Sequence, residues 1–368
     1  MMTPMFRAIL TALGAALLFA LLPAVAEAQQ PSGRARIQGR DESRPEAPVL
    51  GPTLSLTEPK QEMRDFVKNI RKFARRHRRN FSIVVRNGLD LLTKGDVVDE
   101  SIIAPALAYI RSIDGILIDG LNIGIPEIDK PTMPKERREK NLKMAELAKA
   151  NGLAVLVMDY ATTPKTVDDI YRLNASRGFI SYVAPVRGYE LNMLPPYPKR
   201  PFDENPKSVL SFADIRNFVY LADTSTFGQE DEFALKIHQT NYDAVVVDVF
   251  HGRNPLSRRA IETLKYKKVG GKRLVLAFMN ISAAESYRYY WQSHWQEGSP
   301  LWISAPFRKN PDKYHVEYWR PEWQRIITGN TESYLYGIIA QGFDGVILDG
   351  IQGYRFFEGG GETADLEE

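Results

Sequence analysis

The chain has no cysteine. That excludes disulfides, a lipid-modified cysteine and any Cys-based metal spacing, and leaves no thiol to oxidise in an oxidising compartment. Histidine is scarce: His77, His238, His251, His294 and His315 stand apart, with no His-x-x-x-His pair, so no zinc or other metal site is expected. A surplus of one charge is missing too. Lys and Arg total 48 against 45 Asp and Glu, a formal net charge of +3, which argues against a nucleic-acid partner. There is no Gly-x-Ser-x-Gly elbow and no P-loop.

The first residues read as an address. Arg7 precedes an apolar stretch from Ala8 to Val25, and Ala26-Glu27-Ala28 is a small-x-small cleavage pattern. A secretory leader over 1–28, cut after Ala28, is expected, with no membrane span left after cleavage and a periplasmic or secreted location. Residues 29–58, rich in Pro, Gly, Ser, Arg and Glu, are expected to be a disordered linker, and 359–368 a disordered tail. Between them, 59–358 suits one large α/β domain.

Three stretches repeat one pattern: Asp114–Asp119, Asp243–Asp248 and Asp344–Asp349 each enclose an aliphatic run between two aspartates. Such runs read as strands covered on both faces, as in a parallel sheet. Eight candidates follow this logic: Phe81–Val85, Ile113–Ile118, Leu153–Met158, Phe179–Ala184, Phe218–Ala222, Ala244–Val247, Leu274–Met279 and Gly345–Leu348. Most are separated by helical patterns. The count predicts a single (β/α)8 barrel of TIM type, with 59–205 and 209–358 as its halves and the Pro-rich stretch near 195–208 as an internal connection. An open doubly wound sheet is the other architecture. It would carry a Gly-rich loop after strand one, where this chain has Asn87-Gly88.

In such a barrel the C-terminal strand ends gather at one mouth. They offer Asn87, Asp119, Asp159 with Tyr160, Asp223, Asp248, Asn280 with Glu285, and Asp349. The aspartates that begin strands, Asp114, Asp243 and Asp344, are expected at the opposite end, in structural roles. A ring of carboxylates suits glycoside hydrolysis, which needs one acid to protonate the leaving oxygen and a second group to attack carbon or activate water. Aromatic segments, Glu285 to Trp291 and Tyr318 to Trp323, supply faces on which a sugar could stack and groups to bond its hydroxyls: Tyr287, Arg288, Trp291 and Trp319. His251, close to Asp248, is placed to orient an acid. The basic run Arg71, Lys72, Arg75, Arg76, His77, Arg78, Arg79 reads as a solvated helix face.

Glu285-Ser-Tyr-Arg-Tyr-Tyr-Trp291, Tyr318-Trp-Arg-Pro-Glu-Trp323 and Gly342-Phe-Asp-Gly-Val-Ile-Leu-Asp349 resemble segments of the endo-α-1,4-polygalactosaminidases, glycoside hydrolase family 114, which have a TIM-barrel fold. The resemblance covers about 215–357. Segments of the N-terminal half, such as Phe81 to Leu92 and Val155 to Tyr160, resemble ones that follow the Phe-Asp-Gly strand in longer members, so the chain looks circularly permuted. The resemblance implies Asp248 and Glu285 as the catalytic pair, Glu285 as general acid/base and Asp248 as nucleophile or electrostatic partner, with no cofactor. It implies a polysaccharide substrate of α-1,4-linked galactosamine, N-acetylgalactosamine or a related amino sugar. A cationic polymer would suit an acidic mouth formed by Asp119, Asp159, Asp223, Asp248, Glu285 and Asp349. Ala283 departs from the family pattern, which has Glu there. It motivates a second expectation, a non-catalytic carbohydrate-binding barrel.

Overall fold

The computed structural model describes residues 58–94 and 104–360. The expected leader and nearly all of the linker and tail lie outside the described residues. All eight expected strands are present: β1 Ser82–Arg86, β2 Gly115–Asp119, β3 Ala154–Tyr160, β4 Ile180–Ala184, β5 Phe218–Leu221, β6 Ala244–Val247, β7 Leu274–Asn280 and β8 Gly345–Asp349. They form one parallel sheet in the order β4-β3-β2-β1-β8-β7-β6-β5. Strands adjacent in the chain therefore pair, except at β4 and β5, which end the sheet and approach each other, and β1 pairs with β8. The result is an α/β fold with a nearly closed eight-stranded barrel, consistent with a TIM-type fold.

The helices are α1 Pro59–His77, α2 Leu107–Ile110, α3 Lys135–Ala150, α4 Pro164–Ser176, α5 Glu230–His238, α6 Arg258–Leu264, α7 Pro321–Ile327 and α8 Tyr334–Gln341. Buried Met63, Phe66, Val67, Ile70 and Phe73 recur at helical spacing on α1. Regular alternation fails at β4–β5. No α-helix lies there; the Pro-rich connection carries short 3₁₀ turns, and its Val209, Phe212 and Ile215 are buried in place of a helix. Phe212 packs so tightly on Gly115 that a Cβ there would lie 2.7 Å from its ring. After β7 the chain makes a small antiparallel sheet, Ala283–Glu285, Ile303–Phe307 and Asn310–Val316, which apolar periodicity did not predict.

The strand-start aspartates share one device. Asp114 accepts from Ile83 N, Asp243 from Arg216 N and Asp344 from Val275 N, at 2.8, 2.9 and 2.9 Å. Each clips the backbone of a neighbouring segment and takes a cation: Arg71 and Arg75 on Asp114, Lys267 on Asp243, Arg78 on Asp344. The basic run on α1 is thus only partly a solvated face. Arg71, Arg75 and Arg78 turn toward the barrel's N-terminal end, while Lys72, Arg76 and Arg79 are exposed.

Candidate active site

Register decides which strand-end side chains face the barrel interior. Residues paired across parallel strands share a face, and successive residues alternate. Arg86 pairs with Leu117, and Asp119 with Met158, which pairs with Tyr182. On the other side, one step beyond Val85–Leu348, Arg86 lies level with Asp349, which pairs with Asn280. Asp248 follows Val247, whose partners are Leu221 and Ala277, so it shares the face of Phe278 and Asn280. Arg86, Asp119, Tyr160, Tyr220, Asp248, Asn280 and Asp349 therefore ring the C-terminal mouth. The Arg86 guanidinium lies 5.6 Å from the Tyr220 ring centroid.

Two arginines organise the acids. Arg86 Nε donates to Asp119 Oδ2 at 2.6 Å, and its Nη1 to Asp349 Oδ2 at 3.1 Å. Asn87 adds a reciprocal pair with Asp119: its Oδ1 accepts from Asp119 N at 3.0 Å and its Nδ2 donates to Oδ2 at 3.3 Å. Arg288 donates through Nη1 and Nη2 to the two oxygens of Asp248, at 2.8 and 3.1 Å, and through Nε to Glu285 Oε2 at 2.7 Å. Asp248 and Glu285, 37 positions apart in sequence, are thus held by one planar group.

The local chain path delivers Glu285. Gly350, with φ +74°, turns the chain straight after Asp349, and a Cβ there would lie 2.4 Å from Asn280 Oδ1. That close approach lets Ser282 Oγ bond Gly350 O at 2.6 Å while Asn280 Oδ1 accepts from Ser282 N and Ala283 N at 3.0 and 2.8 Å. Trp323 Nε1 donates to Ile281 O at 2.8 Å. The strand Ala283–Glu285 then pairs antiparallel with Asn310–Val316, and Glu285 N donates to the Tyr290 hydroxyl at 3.2 Å.

Burial pushes the Asp248 carboxyl above the usual carboxylate range, against the pull of Arg288, with Glu285 adding like charge. It raises Asp119 too, against Arg86, with Asp349 adding like charge. Asp349 goes the other way. Burial opposes its charge, but Arg86, Lys313 and the Gly350 N–H outweigh that and hold it below the usual range.

The remaining expected residues divide. Tyr160 joins the interior face, buried against Arg187. Tyr287 is 54% exposed, and the Arg288 guanidinium lies 5.4 Å from its ring centroid. Trp291 is half-buried and stacks on Tyr314 at 5.2 Å, while Trp319 is half-buried edge-on to Phe357 at 4.7 Å. The Trp291 amide donates to the Arg288 carbonyl at 3.0 Å, which ties this segment to the second arginine network. Asp159 does not face the mouth. It is fully buried on the helix side of β3, where Asn122 N and Nδ2, Ile123 N and Asn174 Nδ2 of α4 all donate to it. Asp223 is half-buried and caps the turn at Ser225 N, at 2.8 Å. His251 bonds Thr224 and the Gly228 carbonyl rather than an acid.

Sequence reasoning missed Arg86, the residue before Asn87-Gly88 and one step past an aliphatic run. It also missed Lys313, buried beside Asp349. Among the described residues no group of three or more His, Asp or Glu converges as metal ligands.

No family model matches the chain. Over 131 residues it is 32% identical to an uncharacterized protein of Methanocaldococcus jannaschii, covering 36% of this chain and 36% of that one. It is 34% identical over 119 residues to an uncharacterized protein of Deinococcus radiodurans (32% and 36%), and 30% over 123 residues to one of Thermotoga maritima (33% and 36%). The matched stretch therefore spans about a third of each relative's length.

Proposed function

We propose that this chain is a periplasmic or secreted glycoside hydrolase that cleaves within α-1,4-linked galactosamine or N-acetylgalactosamine polymers, or a related amino-sugar polysaccharide. One observation carries the reading: two carboxylates from distant segments, Glu285 buried and Asp248 mostly so, meet on Arg288 at the C-terminal mouth of the barrel. Glu285 gives a proton to the leaving glycosidic oxygen. Asp248 attacks the anomeric carbon, or steadies its positive charge while water attacks. Water's hydroxyl ends on the new reducing end and its remaining proton restores the acid. The separation of the two carboxyls during the reaction sets retention or inversion. Exposed Tyr287 and Tyr289 flank Arg288 in sequence and offer apolar faces to sugar rings.

The barrel reads as a (β/α)8 barrel of the family 114 type opened at a different loop. Matches confined to about a third of the chain fit a permuted order, because one alignment follows only one side of the opened loop. The secreted location rests on the leader pattern at 1–28. Among the described residues no helix is long and apolar enough to cross a membrane.

The test is release of reducing ends from α-1,4-galactosamine polymers, acetylated and not, by the wild type and by Glu285→Gln and Asp248→Asn. Loss of release in both variants supports the assignment; release that survives both changes rejects it. A second reading has its own observation. Arg288 occupies both oxygens of Asp248, and Ala283, fully buried, stands where the family has Glu. Binding without turnover of either polymer favours a carbohydrate-binding barrel.

A further inference from the structure

The charges at the mouth cancel. Asp119 and Asp349 share Arg86, and Asp248 and Glu285 share Arg288. Lys313 adds positive charge beside Asp349, and Arg187 lies 5.6 Å from the Tyr160 ring centroid. Asp159, which would have added to an acidic mouth, is on the helix side of the sheet. Four carboxylates therefore stand among four cations, Arg86 binding two of the acids directly and Arg288 the other two.

A polycation is drawn to a cleft by uncompensated negative field, which this ring lacks. A substrate ammonium would have to share Asp248 and Glu285 with a guanidinium that already binds both oxygens of the first and Oε2 of the second in a largely buried setting. Two buried polar atoms of the ring meanwhile make no hydrogen bond among the described residues: Asp119 Oδ1 and Asn280 Nδ2. Buried polar atoms call for partners. One of these accepts and the other donates. The sugar hydroxyls are common to both forms, but at the 2-nitrogen, where the forms differ, an acetamido group answers both while an ammonium only donates.

We infer that the cleft takes uncharged, N-acetylated amino-sugar units in preference to free-amine units, with Asp119 and Asn280 bonding the neutral polar groups of the sugar. This rests on reading the mouth as a polysaccharide site. In the test, the protein is titrated with α-1,4-linked N-acetylgalactosamine oligosaccharides and with the same oligosaccharides after chemical removal of the acetyl groups. Titrations run at about 0.02 and about 0.2 M salt, which spans strong screening of exposed charges. Binding is read by calorimetry and cleavage by reducing ends. The acetylated oligosaccharides are expected to bind about tenfold tighter, with affinity changing less than about twofold across the salt range. Asp119→Ala and Asn280→Ala are each expected to weaken that binding about tenfold. Tighter binding of the free-amine form, falling steeply with salt, overturns the inference and leaves the proposed activity standing. Binding of neither form overturns the polysaccharide site itself, and the inference with it.

Discussion

Arg288 closes a two-pronged fork on Asp248, Nη1 to Oδ1 at 2.8 Å and Nη2 to Oδ2 at 3.1 Å, and keeps its Nε for Glu285. The Arg288 side chain is 7% exposed, and those of Asp248 and Glu285 are 17% and 8% exposed. Charges this shielded from water depend on one another. Removing the cation alone leaves two acids facing each other with their desolvation uncompensated.

Arg288→Met is therefore expected to destabilise the fold by about 3–5 kcal/mol at neutral pH, the usual cost of breaking a buried pair from one side. The triple variant Arg288→Met, Asp248→Asn, Glu285→Gln, which removes every charge at once, should recover most of that loss. Urea unfolding of the two variants checks this. A single variant as stable as the wild type would mean that the fork carries no structural weight.

Asp119 and Asp349 flank Arg86 and are pushed in opposite directions. Their signs in stability differ accordingly. The Asp119 contribution is present below about pH 3.9, the unfolded carboxyl's value, and fades as pH rises through its higher folded value. The Asp349 contribution is present above about pH 3.9 and is lost as pH falls through its lower folded value. Asp119→Asn should thus gain on the wild type as pH climbs from about 4 to about 7, and Asp349→Asn should lose ground as pH climbs from about 2 to about 5. Urea midpoints measured across that range decide it. Curves that run parallel to the wild type for both variants would refute the opposed shifts.

The barrel strands are legible in the sequence because both faces of each are covered, which leaves aliphatic runs unbroken by polar residues. The mouth is legible only in part, and the reason is geometric. Adjacent residues on a strand point to opposite sides, so Asp159 and Tyr160 look equally good in a list of strand ends while one faces the helices and the other the interior. The arginines are harder still. No linear pattern ties Arg86 to Asp349, 263 positions away. The small sheet that carries Glu285 is also silent, since its longest strand, Asn310–Val316, mixes charged and apolar residues as a loop would.

Asp159 separates fold from recognition. Its four donors, from Asn122, Ile123 and Asn174, tie the loop after β2 to β3 and α4. Asp159→Ala strands the amides of Asn122 and Ile123, while Asn122 Nδ2 and Asn174 Nδ2 keep Asn174 Oδ1 and Ser181 Oγ as acceptors, and each stranded buried donor costs about 1–3 kcal/mol. The expected result is a loss of about 3 kcal/mol or more in unfolding free energy, with oligosaccharide affinity per folded molecule unchanged. Calorimetric titration of the folded fraction is the check. A variant that keeps its stability yet loses binding would put Asp159 back at the mouth.

At the other end of the barrel, Lys267 and Asp243 form an ion pair with neither side chain exposed. Lys267 Nζ also donates to the carbonyls of Asn205 and Lys207, at 3.1 and 2.7 Å, and Asp243 accepts from Arg216 N and Asn205 Nδ2. The pair thereby binds the Pro-rich connection, which has no helix of its own, to the start of β6. Lys267→Met strips the cation and strands a carboxylate that water cannot reach, so a loss of about 3–5 kcal/mol is expected. Adding Asp243→Asn removes the stranded charge while keeping an acceptor for Arg216 N, so the double variant should be more stable than Lys267→Met alone, against the additive expectation for independent sites. Urea unfolding of the wild type, the two single variants and the double variant reads the coupling directly. If the double variant is instead the weaker, the pair acts through its backbone bonds to 205 and 207 rather than through its charge.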